Sequence, residues 1–376
     1  MINAKDFIYG NIAAQTGLEA AIHAACFNDY RTVILPAGEY LIGSPIELNK
    51  VTSSYLKNIT IKGVNAGPRI QGVTRLIWMG GPDSAMFKVL TRGIRFEGIE
   101  IIANTPLKQA FIVDSPDGQN INDNKFTNIR IDGSVGGRIE IGVQVGQLMT
   151  NYTGLADNDF VDCEFKGCQA AFVIDNDTGQ SKLNSFTNCR FMGTSPPDQY
   201  EGVAFRLRSG NLTAHDCLFF GLERILHSRK PTDHIALISS HAERCKRAID
   251  TTLRAADEPV GAVNTPQIVS LIGGSYYYGK NDENEVFTPF ADGDEYNGEY
   301  IYFTHAGIIR LDGVRFGTGS KHFSRFRIHC SHPRNPLVAA TGCSFPSGDP
   351  VSGDTVAFNP GGTNKAWTTD SVSTIL

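Results

Sequence analysis

Several things are missing from this 376-residue chain. No run of 18 apolar residues occurs, so no membrane-spanning helix is expected. Met1 to Ile12 has no basic stretch followed by a long apolar run, so no secretory leader is expected. The eight cysteines (26, 163, 168, 189, 217, 245, 330 and 343) contain no Cys-x-x-Cys pair and match no zinc spacing. Without a leader, free thiols are expected rather than disulfides or a metal site. A net charge of −5 is too mild and of the wrong sign for a general nucleic-acid surface. Apolar spacings of three and four are not sustained, which excludes helical repeats, and no leucine ladder recurs.

What is present is a core-forming composition, 41% hydrophobic and 19% charged, with 39 glycines marking many turns. There is also a repeated phrase: NKFTNIRIDGS (124–134), NDFVDCEFKGC (158–168) and NSFTNCRFMGT (184–194). Align them on Ile129, Cys163 and Cys189. Phe126, Phe160 and Phe186 then fall three residues before, and Asn128, Asp162 and Asn188 one before. Ile131, Phe165 and Phe191 fall two after, and Gly133, Gly167 and Gly193 close each phrase. Copies continue at Ile99, at Cys217, around Ser275, at Val314 and at Cys343, with a degenerate one near His241. Steps of 26 to 39 residues signal a solenoid.

Each unit is a short period-2 alternation broken by Asn, Asp or Gly, so each predicts one coil of short strands joined by bends. Stacked at about 4.8 Å, roughly ten coils would bury the same face against one another. The Asn or Asp before each central residue suits a left-handed bend, which makes Asp162 and Asp216 structural. Cys163, Cys189, Cys217 and Cys343 share an interior position as small core residues.

A solenoid's open apolar end must be covered. Thr16 to Asn28 predicts an amphipathic helix that does so, with Leu18, Ala21, Ile22, Ala25 and Cys26 on one face and Thr16/Glu19 as a capping box. The helix Leu18–Ala25, then VILPAGEYLI (33–42), then ITIKG (59–63), together with the Phe-x-Asn-Cys/Ile-x-Phe-x-Gly coils, resembles the pectate-lyase superfamily of right-handed parallel β-helices. That start is shared by pectinase-like enzymes and many phage tailspikes or depolymerases. One departure is that Asp6–Asn11 replaces the Gly-Ala-x-Gly-Asp-Gly and Asp-Asp-Thr segment of many relatives. The expected organisation is an all-β parallel β-helix over 1–350 including a cap helix at 16–28, then a C-terminal tail or cap at 351–376. The resemblance implies a homotrimer that binds or cuts surface polysaccharide. It also implies action outside the cell on a virion or released particle; charge and the lack of a long apolar run already argue against nucleic acid or membrane as partner.

After each closing Gly the chain enters another strand, whose outward side is expected to be an exposed ladder. In EGVAFRLRS (201–209), Val203, Phe205 and Leu207 alternate with Arg206 and Arg208, so both arginines face out. Asp175 falls near Arg208 on the neighbouring coil, and the next coils offer His227 and Arg229, then Asp250. Glycoside hydrolysis needs two carboxyls about 5 to 9.5 Å apart. Asp175, Asp177 and Glu201 are the expected catalytic groups. Glu223, Asp250, Arg206, Arg208, His227 and Arg229 are the expected substrate contacts, against a bland reading as a solvated charge ladder. Tyr277 and Tyr300, in an aromatic-rich stretch at 276–303, suit sugar stacking. No metal or cofactor is expected, except Ca²⁺ if the chain were a lyase acting by β-elimination on a uronic-acid polymer. Gly-His-Gly, Asp-Asp and Asp-Pro-His are absent, which excludes polygalacturonase and mannuronan-epimerase chemistry. A non-catalytic adhesion or structural β-helix is the third reading.

Overall fold

The computed structural model describes residues 1–8, 14–27, 31–49, 58–65, 72–114, 121–146, 155–174, 183–194, 202–228, 234–251, 267–278, 299–303, 307–318, 327–330, 337–345, 357–360, 367–369 and 374–375. Every strand pairing among them is parallel, as a solenoid of repeated coils requires. The chain divides into two compact units, Met1–Arg190 and Phe191–Leu376.

In the first unit, Thr60–Lys62, Arg95–Ala103, Lys125–Gly136, Asp159–Val161 and Asn184–Thr187 pair in sequence on one sheet. Ile46–Asn49, Ala85–Leu90, Leu107–Val113, Ile139–Val145 and Ala170–Ile174 form the opposing sheet. Between them Phe96, Phe126, Phe160 and Phe186 stack at centroid spacings of 5.4, 4.7 and 4.5 Å. Phe111 and Phe172 meet that stack edge-on from the other sheet. The recurring Phe of the sequence phrase is therefore one continuous aromatic column. At the start of the same strands Asn124 Nδ2 donates to Asn158 Oδ1 (3.2 Å), and Asn158 Nδ2 to Asn184 Oδ1 (3.0 Å). Asn124 Oδ1 accepts from the Ile94 N–H, so the buried amides are satisfied rung by rung.

Charge fixes the register as well. Glu39, Arg75, Glu100, Arg130 and Glu164 lie opposite one another on successive strands, alternating in sign. Arg75 bonds Glu39 and Glu100 at 2.9 and 2.7 Å, and Arg130 bonds Glu100 and Glu164 at 2.8 Å each. A slip by one coil would set like charges against each other with Glu100 and Arg130 buried.

The expected bends are present. Asn128, Asp162, Asn188 and Asp216 have φ of 51°, 55°, 53° and 53°. A buried cysteine outside any disulfide follows the last three of these bends, its thiol donating to the carbonyl two residues back (Cys163 to Val161, Cys189 to Thr187, Cys217 to His215). The helix at Ala14–Phe27 buries Leu18, Ala21, Ile22 and Ala25. It begins two residues before Thr16, which therefore lies within its first turn rather than at a cap.

In the second unit each coil supplies three strands. Leu212–His215, Leu218–Phe220 and Arg224–Ser228 form one, and His234–Ile238, His241–Glu243 and Arg247–Asp250 the next. The degenerate copy near His241 resolves as Ser239 in the bend (φ 50°), Ser240 in the central position and Arg244 (φ 55°) in place of the closing Gly. The copy assigned to Ser275 moves by one residue. Gly274 is the central residue, because His241 pairs with Ser275 and Ala242 with Tyr276. Its Cβ would collide with the Ser240 carbonyl, so a glycine at φ 80° is required there.

Candidate functional site

The one-residue shift at Gly274 decides which side chains reach the surface. Phe219, Ala242, Tyr276 and Phe316 lie opposite one another and are buried. Their neighbours on either side therefore face outward. One outward row is Leu218, His241, Ser275 and Arg315; the next is Phe220, Glu243, Tyr277 and Gly317.

Within these rows His241 Nδ1 lies 2.5 Å from Ser275 Oγ, and His241 Nε2 lies 3.0 Å from Glu243 Oε1. The His241 and Glu243 side chains remain 38% and 49% exposed. The imidazole stands 5.6 Å from the Tyr277 ring. That ring lies over Gly317, where a Cβ would come within 2.6 Å of its Cδ1 and Cε1. The Arg244 guanidinium sits 5.6 Å above the Phe220 ring. The face thus combines two half-buried aromatic rings, a carboxylate, an imidazole, a hydroxyl and two arginines. Rings offer flat apolar contact, and the polar groups offer directed hydrogen bonds.

Asp175, Asp177, Glu201 and Arg229 lie outside the described residues. Arg206 and Arg208 are half-buried, consistent with outward-facing arginines. Arg206, His227, Asp250 and Tyr302 are opposite one another on successive strands, so the column runs through Arg206 rather than Arg208. The ladder is not exposed: Glu223, His227 and Asp250 are buried. Asp250 Oδ2 accepts from Arg224 Nε (2.7 Å) and Arg247 Nη1 (2.6 Å), both of them buried arginines. Arg247 also stands 4.7 Å from the Tyr302 ring centroid. Alternation along a strand reports which side a residue takes, not what lies over that side.

Tyr300 is buried too, edge-on to Phe316 at 6.4 Å, where the strand pairing shifts register between Glu299 and Ile301. Among the described residues, Tyr277 is the one expected contact that lies in these outward rows. Ser275, His241, Glu243, Arg244 and Arg315 were not anticipated. Among the described residues no three His, Cys, Asp or Glu side chains gather as a cation site.

No family model matches the chain, and no curated protein matches it in sequence. Among solved structures it is similar to the tailspike protein of E. coli bacteriophage HK620 in complex with a pentasaccharide, with a TM-score of 0.61 at 12% identity. A mutant of that tailspike with one glutamate replaced by glutamine, also in complex with a pentasaccharide, gives 0.59 at 12% identity. Both matches cover 100% of this chain and 66% of the tailspike, so the chain spans just under two thirds of their length. The shared architecture is the right-handed parallel β-helix of tailspike type.

Proposed function

We propose that the chain binds and cleaves a cell-surface or extracellular polysaccharide. The observation that carries this reading is the outward face on which the Tyr277 ring packs against Gly317, with Glu243, His241 and Arg244 beside it. A flat ring takes the apolar face of a sugar, while a rim of charged groups takes its hydroxyls or acidic substituents. The likeness to a tailspike solved with a pentasaccharide supports the same reading.

Cleavage would be hydrolytic, with Asp175, Asp177 and Glu201 supplying the proton donor and the second carboxylate. The assembly that accompanies this reading is a homotrimer acting outside the cell. The test is release of reducing ends from a panel of bacterial capsular, O-antigen and plant or algal polysaccharides. Wild type is compared with Tyr277→Ala, Asp175→Asn, Asp177→Asn and Glu201→Gln, and light scattering gives the subunit count. Tyr277→Ala should weaken oligosaccharide binding about tenfold, the worth of one aromatic contact of roughly 1.4 kcal/mol, without changing the thermal midpoint. Binding equal to wild type in Tyr277→Ala would remove this face from the reading. Release of an unsaturated uronide would replace hydrolysis by elimination.

A further inference from the structure

Ser275, His241 and Glu243 form a hydrogen-bonded relay that carbohydrate binding does not call for. We propose that it is the nucleophile, base and orienting acid of an ester-hydrolysing site, and that its substrate is an acyl ester on the bound glycan. The acyl-transfer chemistry stands on this geometry alone; only the choice of a glycan-borne ester rests on the polysaccharide reading.

The distances are those of an activated hydroxyl. Ser275 Oγ is 2.5 Å from His241 Nδ1, and the opposite ring nitrogen is 3.0 Å from Glu243 Oε1. A base within hydrogen-bond reach of the nucleophile, itself held by a third group, defines such a relay wherever it occurs. Glu243 accepts the Nε2–H, which leaves the Nδ1 lone pair directed at the serine. The three residues come from two adjacent coils and are held by strand pairing rather than by loops. Gly273 and Gly274, at φ 63° and 80°, deliver the chain sharply into Ser275. The serine's own N–H is taken by the Ser240 carbonyl at 3.0 Å, so that amide does not serve an oxyanion. Arg315, exposed and opposite Ser275 on the next strand, is the charged donor in place for it.

The steps balance. Ser275 Oγ passes its proton to His241 Nδ1 and bonds to the ester carbonyl carbon. The carbon–oxygen bond to the sugar breaks, and the sugar oxygen leaves with that proton. Water then adds to the acyl-serine, giving a proton to Nδ1. The serine departs with it, releasing a carboxylic acid.

The first test uses wild-type protein and a fluorophosphonate, with the modified residue located by mass spectrometry. Modification at Ser275, lost in His241→Ala, is expected. Hydrolysis of p-nitrophenyl acetate should fall at least about 100-fold in kcat/KM in Ser275→Ala and His241→Ala, the low end of what a positioned base supplies. His215→Ala should leave it unchanged, which separates the relay from an ordinary exposed imidazole. Glu243→Gln should lower kcat and the labelling rate about tenfold at unaltered KM, the mark of a positioning residue. Acetate release from an O-acetylated polysaccharide, measured separately from reducing ends, tests the substrate. No label at Ser275, or ester hydrolysis equal in wild type and Ser275→Ala, overturns the proposal. Small-ester hydrolysis without acetate release overturns the glycan ester. Absence of reducing ends bears only on polysaccharide cleavage.

Discussion

Removing the Asp250 carboxylate should be among the most damaging single changes in the second unit. Asp250, Arg224 and Arg247 are all buried, and one carboxylate oxygen receives both arginine N–H groups at 2.7 and 2.6 Å. In Asp250→Ala two guanidinium groups would share a water-poor site without that carboxylate. Removing one partner of a buried ion pair costs about 3–5 kcal/mol. The strand Arg247–Asp250 would open more readily, so amide exchange there should accelerate by about two to three and a half orders of magnitude. Exchange is the right readout because it reports the opening of this strand by itself. Asp250→Asn keeps the shape and one acceptor and should fall between wild type and alanine. The combined variant Arg224→Met, Arg247→Met, Asp250→Leu should recover most of the loss, since an apolar replacement of a whole buried ion cluster is often neutral. An acceleration below tenfold in Asp250→Ala would refute the reasoning, because the carboxylate would then not be what holds the two arginines in place.

Three further outcomes follow from the coils. Asn158→Leu removes the middle rung of the asparagine ladder and leaves Asn124 Nδ2 and Asn184 Oδ1 each without the partner they have now; it should cost about 2–4 kcal/mol, checked by exchange in Asp159–Val161. Leu183 holds φ 56° with a 65% exposed side chain, where Asp123 and Asp157 hold the equivalent bends, so Leu183→Asn should stabilise the chain by about 1 kcal/mol, seen as a higher thermal midpoint. Burial pushes the Cys168 and Cys245 thiols from 9.0 up to about 12, so both should resist a thiol reagent at pH 8 until the chain unfolds. Because the folded value is raised, their contribution to stability is complete below pH 9 and is lost between about pH 9 and 12, where the unfolded chain ionises first.

The fold was legible because stacking imposes the same demand on every coil. A phenylalanine three before the centre, a left-handed bend one before and an apolar residue two after are each required by contact with the identical residue one coil away. Phe126, Asn128 and Ile131 therefore recur as Phe160, Asp162 and Phe165. The signal weakened where other chemistry meets the same demand. Ser239–Ser240 replaces a bend and its cysteine, and Arg244 adopts the conformation that Gly221 adopts one coil earlier. Leu183 in a left-handed bend has no compositional mark at all.

The site was hidden by one residue of register. Centring a coil on Ser275 turns that serine inward and Tyr276 outward, since the side-chain period of a strand is two. The paired glycines 273 and 274 gave two positions for the bend, and only strand pairing chooses between them. With Gly274 in the centre, the residue that follows the centre in successive coils reads Leu218, His241, Ser275, Arg315. A nucleophile, a base and a cation then stand side by side although His241 and Ser275 are 34 residues apart. At Asp250 and His227 alternation gives the side of the strand, shared with Arg206, while both side chains are buried. Register is written in a repeat sequence except where two neighbouring residues can each make the bend, as Gly273 and Gly274 can. Burial of an outward face is set by whatever lies over the coil, and no periodicity within the coil encodes that.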